Sequence, residues 1–287
     1  MQILTSCHQA IDNCLETKTF ALAHLYSEEK PMAMHIHDCY EIYYSISGGK
    51  QFLIDERLYE IKPGDVFVIN QFESHHLQKI DSMIHERFVI SIHPDYTKRI
   101  STAATNLDAL FTDRAEGFSH RISLSEEQQN RFLYLVNKIG SANSIGADII
   151  EQSAISELLL LILTAGQQAE EAQQAHPAHF DRQVDEIIAY INQHICEPLS
   201  TDSLARNFYM SPSYICRIFK AATGTTINKY VNARRISMAK AMLAEGKSIT
   251  SVYEACGYND YSNFLKTFRK AVGISPKKYA HSSNMYQ

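Results

Sequence analysis

Ile215-Cys216-Arg217-Ile218-Phe219-Lys220, with Gly224 and Tyr230 after it, recurs as Phe264-Leu265-Lys266-Thr267-Phe268-Arg269, with Gly273 and Tyr279 after it. The phenylalanine, the basic positions, the glycine and the tyrosine keep their spacing. A short helical unit present twice, with Lys and Arg at matched places, is how one chain offers two helices to two turns of DNA.

Capping residues place the helices around the repeat. Ser200 or Thr201 starts a short helix through Phe208. Ser211-Pro212 starts the next, because Ser accepts from free N–H groups and Pro suits the first helical position. That helix runs to about Thr223 and stops at Gly224. A longer helix, about 226–245, leads to the second copy, with helices at about 249–255 and 260–271 around a turn at Cys256-Gly257-Tyr258. Helix, turn, helix puts the second helix of each pair into the major groove. Helical spacing turns Ile215, Ile218 and Phe219 inward and leaves Ser213, Tyr214, Cys216, Arg217 and Lys220 outward. In the second copy Phe264 and Phe268 turn inward, leaving Tyr261, Ser262, Asn263, Lys266 and Arg269 outward. These ten outward residues are the candidate DNA contacts. Arg217 and Lys266 are equivalent, and either a guanine edge or a phosphate suits them.

The segment 181–287 resembles the DNA-binding domain of the AraC/XylS family of bacterial transcription regulators. Leu204-Ala205, Ser211, Tyr214-Ile215, Arg217, Phe219-Lys220 and Gly224 carry the likeness in the first half. Ile249, Val252, Gly257-Tyr258, Asp260-Tyr261-Ser262, Phe264, Phe268, Gly273, Ser275-Pro276 and Tyr279 carry it in the second. The resemblance implies that Ser213, Cys216, Arg217, Tyr261, Ser262 and Lys266 lie at base-reading positions. Tyr253 departs from the family's small alanine, so a bulky ring is expected to alter packing of the second helix pair.

The N-terminal half reads differently. Phe52-Leu53-Ile54, Val66-Phe67-Val68-Ile69 and Phe88-Val89-Ile90-Ser91-Ile92 are short strand-like runs separated by Gly48-Gly49, Lys62-Pro63-Gly64-Asp65 and His93-Pro94-Asp95. Many short strands broken by turns predict a small barrel or sandwich over about 20–95. Helical spacing returns from Ser125, and a second helix over about Asp148–Ala165 carries Ile155, Leu158, Leu159, Leu160, Leu161, Ile162 and Leu163. That apolar face serves either as core or as a homodimer interface.

Within the barrel stands His35-x-His37-x3-Glu41-x6-Gly48, then Pro63-Gly64-Asp65 and His75-His76. Alternation along a strand points His35, His37, Glu41 and Tyr43 to one side. The pattern resembles the two motifs of cupins, a barrel that also serves as the usual effector sensor of AraC-type regulators. Three readings stand: a pocket for a small polar effector, a zinc, manganese or iron site with catalysis, or satisfied structural groups. The first is preferred, with His35, His37, Glu41, Tyr43 and His75 as effector-binding residues, and with no catalytic residue, metal or cofactor assigned. A sugar or sugar derivative is the expected effector, Tyr40, Tyr43 and Tyr44 offering stacking faces and hydroxyls.

Charge divides the same way. Residues 181–287 hold 14 Lys+Arg against 8 Asp+Glu, and residues 1–180 hold 13 against 24, so only the C-terminal part has the sign that attracts phosphates. The six cysteines form no C-x-x-C pair, which argues against a disulfide framework or a thiolate zinc site. No run of about 18 apolar residues suggests a membrane span, and the start lacks a secretory pattern, so a cytoplasmic place is expected.

The expected layout is α+β in two domains. A cupin-like sensor with its central helices fills 1–165, a Gln- and Ala-rich linker 166–180, and an all-α domain 181–287 with two helix-turn-helix motifs joined by a linker helix. Expected partners are double-stranded promoter DNA, the small effector, a second copy through the central helices, and RNA polymerase if the chain activates. A metal-dependent cupin enzyme with an accessory helical domain is the alternative.

Overall fold

The computed structural model describes residues 2–28, 34–49, 51–78, 84–113, 118–143, 145–172 and 182–284. The chain opens with α1 (Cys7–Thr17) and the strands β1 (Phe20–Glu28), β2 (Tyr40–Ser47), β3 (Gln51–Ile54), β4 (Arg57–Glu60), β5 (Asp65–Ile69), β6 (His75–Gln78) and β7 (Ile84–Ile92). Next come α2 (Pro94–Ile100), α3 (Ala109–Thr112), β8 (Arg121–Ser123), α4 (Glu126–Ser141) and α5 (Ala147–Ala172). The remainder is helical: α6 (Arg182–Gln193), α7 (Thr201–Asn207), α8 (Pro212–Thr223), α9 (Ile227–Ala244), α10 (Ile249–Ala255), α11 (Tyr261–Val272) and α12 (Pro276–Asn284).

Two antiparallel sheets form the N-terminal part, one ordered β1-β7-β2-β5-β8 and one β4-β3-β6. Alternation assigns the two faces of the larger sheet to two cores. Tyr43, Phe67, Ile69 and Val89 turn inward and meet Phe52, Ile54 and Leu77 of the smaller sheet. Tyr40, Ile42, Tyr44, Val66, Val68 and Ile90 turn outward, beneath Phe132, Leu135 and Ile139 of α4 and Ile155, Leu158 and Ile162 of α5. β8 joins the larger sheet from beyond the 20–95 span read from sequence. At the Pro63-Gly64-Asp65 turn Gly64 has φ 86°, and Asp65 accepts from the Lys62 N–H at 2.9 Å and from the Ser123 hydroxyl at 2.6 Å. That motif therefore builds a corner and anchors β8.

α4 begins with a full capping box between Ser125 and Gln128. α5 is apolar and long enough, by composition, to cross a membrane. Its Ile155, Leu158, Leu159 and Ile162 are fully buried on the sheet, Leu161 and Leu163 partly so, and Leu160 is exposed. Most of the apolar face is thus core. The stretch 166–180 read as a linker is helical through Ala172 as the end of α5, because Gln and Ala favour helix as well as polarity. Residues 173–180 of it lie outside the described residues.

The two helix-turn-helix units share one turn. After α7, Tyr209 N–H donates to Arg206 O and Met210 N–H to Ala205 O; after α10, Gly257 N–H donates to Glu254 O and Tyr258 N–H to Tyr253 O. Tyr209 and Gly257 hold the same left-handed place, at φ 54° and 72°. The second turn is one residue longer, Asn259 standing before the Asp260 cap. Tyr253 does not disturb this pattern; its ring lies half-buried against Tyr261, centroids 5.3 Å apart.

Gly257 also marks where the second unit meets the loop after α6. A Cβ there would stand 2.7 Å from the Cys196 backbone. Gly257→Ala is expected to cost at least about 2 kcal/mol from the left-handed φ and the clash together. Thermal unfolding reads this as a lowered midpoint, and an unchanged midpoint would refute the close approach.

Candidate DNA surface and barrel site

α8 and α11 each lay one face in a core and leave the other in solvent. Ser211 caps α8 by accepting from Tyr214 N–H, with Pro212 at the first position and Gly224 closing the helix at φ 70°. Asp260 caps α11 by accepting from Ser262 and Asn263 N–H groups, and Gly273 closes it at φ 83°. Ile215, Phe219, Phe264 and Phe268 are fully buried. Ser213, Tyr214, Cys216, Arg217 and Lys220 are exposed, as are Tyr261, Ser262, Asn263, Lys266 and Arg269. The guanidinium of Arg217 rests 5.2 Å from the Tyr214 ring centroid, which braces it at the surface.

α9 runs between the two units and carries basic residues with a different use. Arg235 donates to Ile195 O at 2.9 Å and Glu197 O at 2.6 Å, tying down the loop after α6. Arg234 donates to Asn192 Oδ1 at 2.9 Å and pairs with Asp55 in the β3–β4 turn. Lys240, 1% exposed, contacts Asp38 Oδ1 at 2.8 Å, and the Tyr279 hydroxyl donates to that oxygen at 2.9 Å. Ser237 donates to Phe72 O. α9 is therefore clasped to the barrel, while α8 and α11 keep their basic faces free.

The clasp lies one residue away from the barrel cluster. Donor atoms of His35, His37, Glu41 and His75 lie within 4.8 Å of one another. His37 Nδ1 is 2.8 Å from Cys39 O, which only accepts, so Nδ1 carries a proton and Nε2 faces Glu41 Oε2 at 3.0 Å. His75 Nδ1 likewise donates to Glu73 O at 3.1 Å, and its Nε2 points toward Glu41 Oε2 at 3.8 Å. That His75 Nε2 is buried and has no hydrogen-bond partner among the described residues. Burial works against the Glu41 carboxylate, but the histidines around it, with His37 hydrogen-bonded to it, outweigh that and hold it below the usual carboxylate range. Burial also opposes a charge on His37, and Cys39 and Glu41 beside it outweigh that, raising it to about 10. Burial and then His35 push His75 well below the usual histidine range, so it stays neutral.

Of the five barrel residues singled out in the sequence, four meet. Tyr43 faces the same interior, but its hydroxyl goes to His85 Nε2. Arg87 donates to His85 Nδ1 at 3.1 Å, which leaves the His85 proton on Nε2. Register settles the choice between His75 and His76. His75 pairs with inward Ile54, and His76 pairs with Leu53, which packs into the α6–α8 core. Asp38, Asp55, Arg234 and Lys240 were missed in the sequence, where nothing local distinguishes them from surface charges.

Comparison with known proteins follows the same division. A family model described as "AraC-like ligand binding domain" matches residues 20–163, half of the chain, and one described as "Helix-turn-helix domain" matches 204–282. The chain belongs to the AraC/XylS family. Like other AraC/XylS members it combines a ligand-binding domain with a helix-turn-helix domain and is a DNA-binding regulator of transcription. The regulatory protein PocR of Salmonella typhimurium is 27% identical over 139 residues, 47% of this chain and 46% of PocR. The transcriptional activator RhaS of Salmonella schwarzengrund is 25% identical over 248 residues, 85% of each chain. A solved structure of ToxT from Vibrio cholerae aligns over 92% of this chain and 98% of its own at 12% identity, with a TM-score of 0.39.

Arg217→Ala and Lys266→Ala are each expected to weaken specific DNA binding by about 1–3 kcal/mol if they read bases. Phosphate contacts would instead weaken all sequences alike and flatten the salt slope. Titrations of specific and random duplexes at several salt concentrations separate these, and unchanged binding by both variants would remove the exposed faces from the DNA surface.

Proposed function

We propose that the chain binds promoter DNA with α8 and α11 in successive major grooves, and that a small ligand in the barrel sets that affinity through α9. The twice-repeated turn with two exposed basic helices carries the first half of this reading. The adjacency of the His35–His37–Glu41–His75 cluster to the Asp38 and Asp55 clasp carries the second. A typical coupling between two such sites is about 1–3 kcal/mol, enough to move promoter occupancy several-fold.

A sugar or sugar derivative was the ligand class expected from the sequence. The tyrosines that motivated it have other partners. Tyr40 donates to Asp108 at 3.1 Å and stacks on Phe111, Tyr43 meets His85, and Tyr44 stacks on Phe132 of α4. A sugar therefore rests on the polar cluster alone. We assign no catalytic step, place the protein in the cytoplasm, and keep RNA polymerase as a partner if it activates. A homodimer through α4 and α5 would cover the exposed Tyr134, Ile149 and Leu160.

Selection of duplexes from a random pool with the full chain, then footprinting, tests the assignment. The expected footprint is asymmetric and covers two major-groove segments roughly 10 base pairs apart. A site contacted in one groove only, or no retained DNA at low salt, would overturn it. Thermal shifts against sugars and sugar acids test the ligand class, a sugar-specific rise supporting it and none removing it.

A further inference from the structure

The two helix-turn-helix units share a turn and a capping scheme but differ where the second helix begins. In the first unit the fifth residue of α7 is Ala205, 2% exposed, and α8 opens on Pro212. In the second unit the matching places hold Tyr253, on α10, and Tyr261, which opens α11. A methyl group at this place sits in the core. A phenol ring does not fit there, because Tyr258, Phe264 and Phe268 already fill that core and are buried in it. The Tyr253 ring lies at the rim instead, half-buried, with its centroid 6.3 Å from Phe264 and 5.3 Å from Tyr261.

Tyr261 is thereby held from two sides. Its ring meets Tyr253 at 64° between planes and stands 6.5 Å from the buried Phe264. Tilted and edge-to-face rings at such separations attract one another. Tyr261 nevertheless stays 42% exposed, so a fixed ring faces solvent at the start of α11. Ordering a side chain before it binds spares the entropy of ordering it on the partner.

The polar groups around the ring pair suit a base edge better than a phosphate. The Tyr253 hydroxyl donates to Glu254 Oε1 at 3.3 Å, and the Asp260 carboxylate accepts from the Ser262 and Asn263 N–H groups. Two acidic residues therefore flank the pair, and α11 has no basic residue before Lys266. The first residues of a helix lying in the major groove reach base edges. The apolar feature that the major groove offers there is the C5 methyl of thymine.

We propose that Tyr253 is a positioning residue that holds the Tyr261 ring against a thymine methyl, giving the second unit a base preference the first has no residues to match. This rests on the DNA-reading proposal above and names a base that α11 selects.

The test uses the full chain and the duplex selected from the random pool. Each thymine of the site is replaced in turn by uracil, which keeps the base pair and lacks only the methyl. Replacement at one position, within one of the two groove segments, is expected to weaken binding about 2–12-fold, the worth of one aromatic contact. Tyr253→Ala, if folded by circular dichroism, should bind the thymine and uracil duplexes alike at that position with its salt slope unchanged. Tyr253→Phe keeps the ring and should bring the difference back. Tyr261→Phe should also keep it. Equal weakening of Tyr261→Phe on both duplexes would put the hydroxyl on a phosphate and overturn the thymine contact. Should Tyr253→Ala unfold, Tyr261→Ala, at an exposed position, should erase the difference in its place. A selected site without thymine in one groove segment, no position sensitive to uracil, or a difference that survives in folded Tyr253→Ala and Tyr261→Ala overturns the proposal. No duplex retained by the unaltered chain is a separate failure, that of the DNA-reading proposal, and takes this one with it.

Discussion

Lys240 and Arg234 sit on the helix that joins the two helix-turn-helix units, and both are taken largely out of water. A buried cation without a partner costs several kcal/mol, so each must meet a carboxylate in good geometry or the two parts of the chain cannot close. Asp38 and Asp55 supply those carboxylates from the barrel. Burial weakens the Asp55 carboxylate and Arg234 works against that weakening. Few relative placements of barrel and helices satisfy both pairs at once. The clasp fixes registry more than it adds stability, since buried pairs roughly break even against apolar packing. The apolar contacts around it, Leu53 in the α6–α8 core and Ile36 in the α9–α11 core, supply the area.

The same placement explains the charge division between the halves. An acidic N-terminal part would repel DNA if it lay against the reading helices. Here two of its carboxylates, Asp38 and Asp55, engage α9, and α8 and α11 keep Arg217, Lys220, Lys266 and Arg269 in solvent. The barrel cluster and the candidate DNA surface thus share one helix without competing for the same residues.

How far the sequence could be read depended on the range of the interactions. Ser211-Pro212, Gly224, Ser125 and Gly273 act within a turn of themselves, so the helix ends they set were readable to within a residue or two. Alternation likewise turned Glu41 and Tyr43 of β2 inward, because period two is local, whereas His35 and His37, read on the same strand, lie in the segment before it. β8 is three residues long and was not readable, since only its pairing with β5 makes it a strand. His75 and His76 could not be told apart without the register against β3. Tyr43 faced the expected way, but its partner His85 lies on β7 and carries no local signal. The clasp was invisible for the same reason: Asp38 and Lys240 are far apart in the chain, and charged residues usually lie in solvent. The extra residue at Asn259 was hidden because both turns end in an ordinary capping residue.

If the barrel cluster and the DNA surface communicate through α9, the coupling is reciprocal. DNA must then change the barrel as surely as a barrel ligand changes DNA affinity. The most direct measurement is amide hydrogen exchange across residues 35–41 of the full chain, with and without a specific duplex. Altered protection at 35–41 when DNA binds is the predicted result. DNA bound tightly with exchange at 35–41 unchanged, while α8 and α11 become protected, would contradict communication through α9.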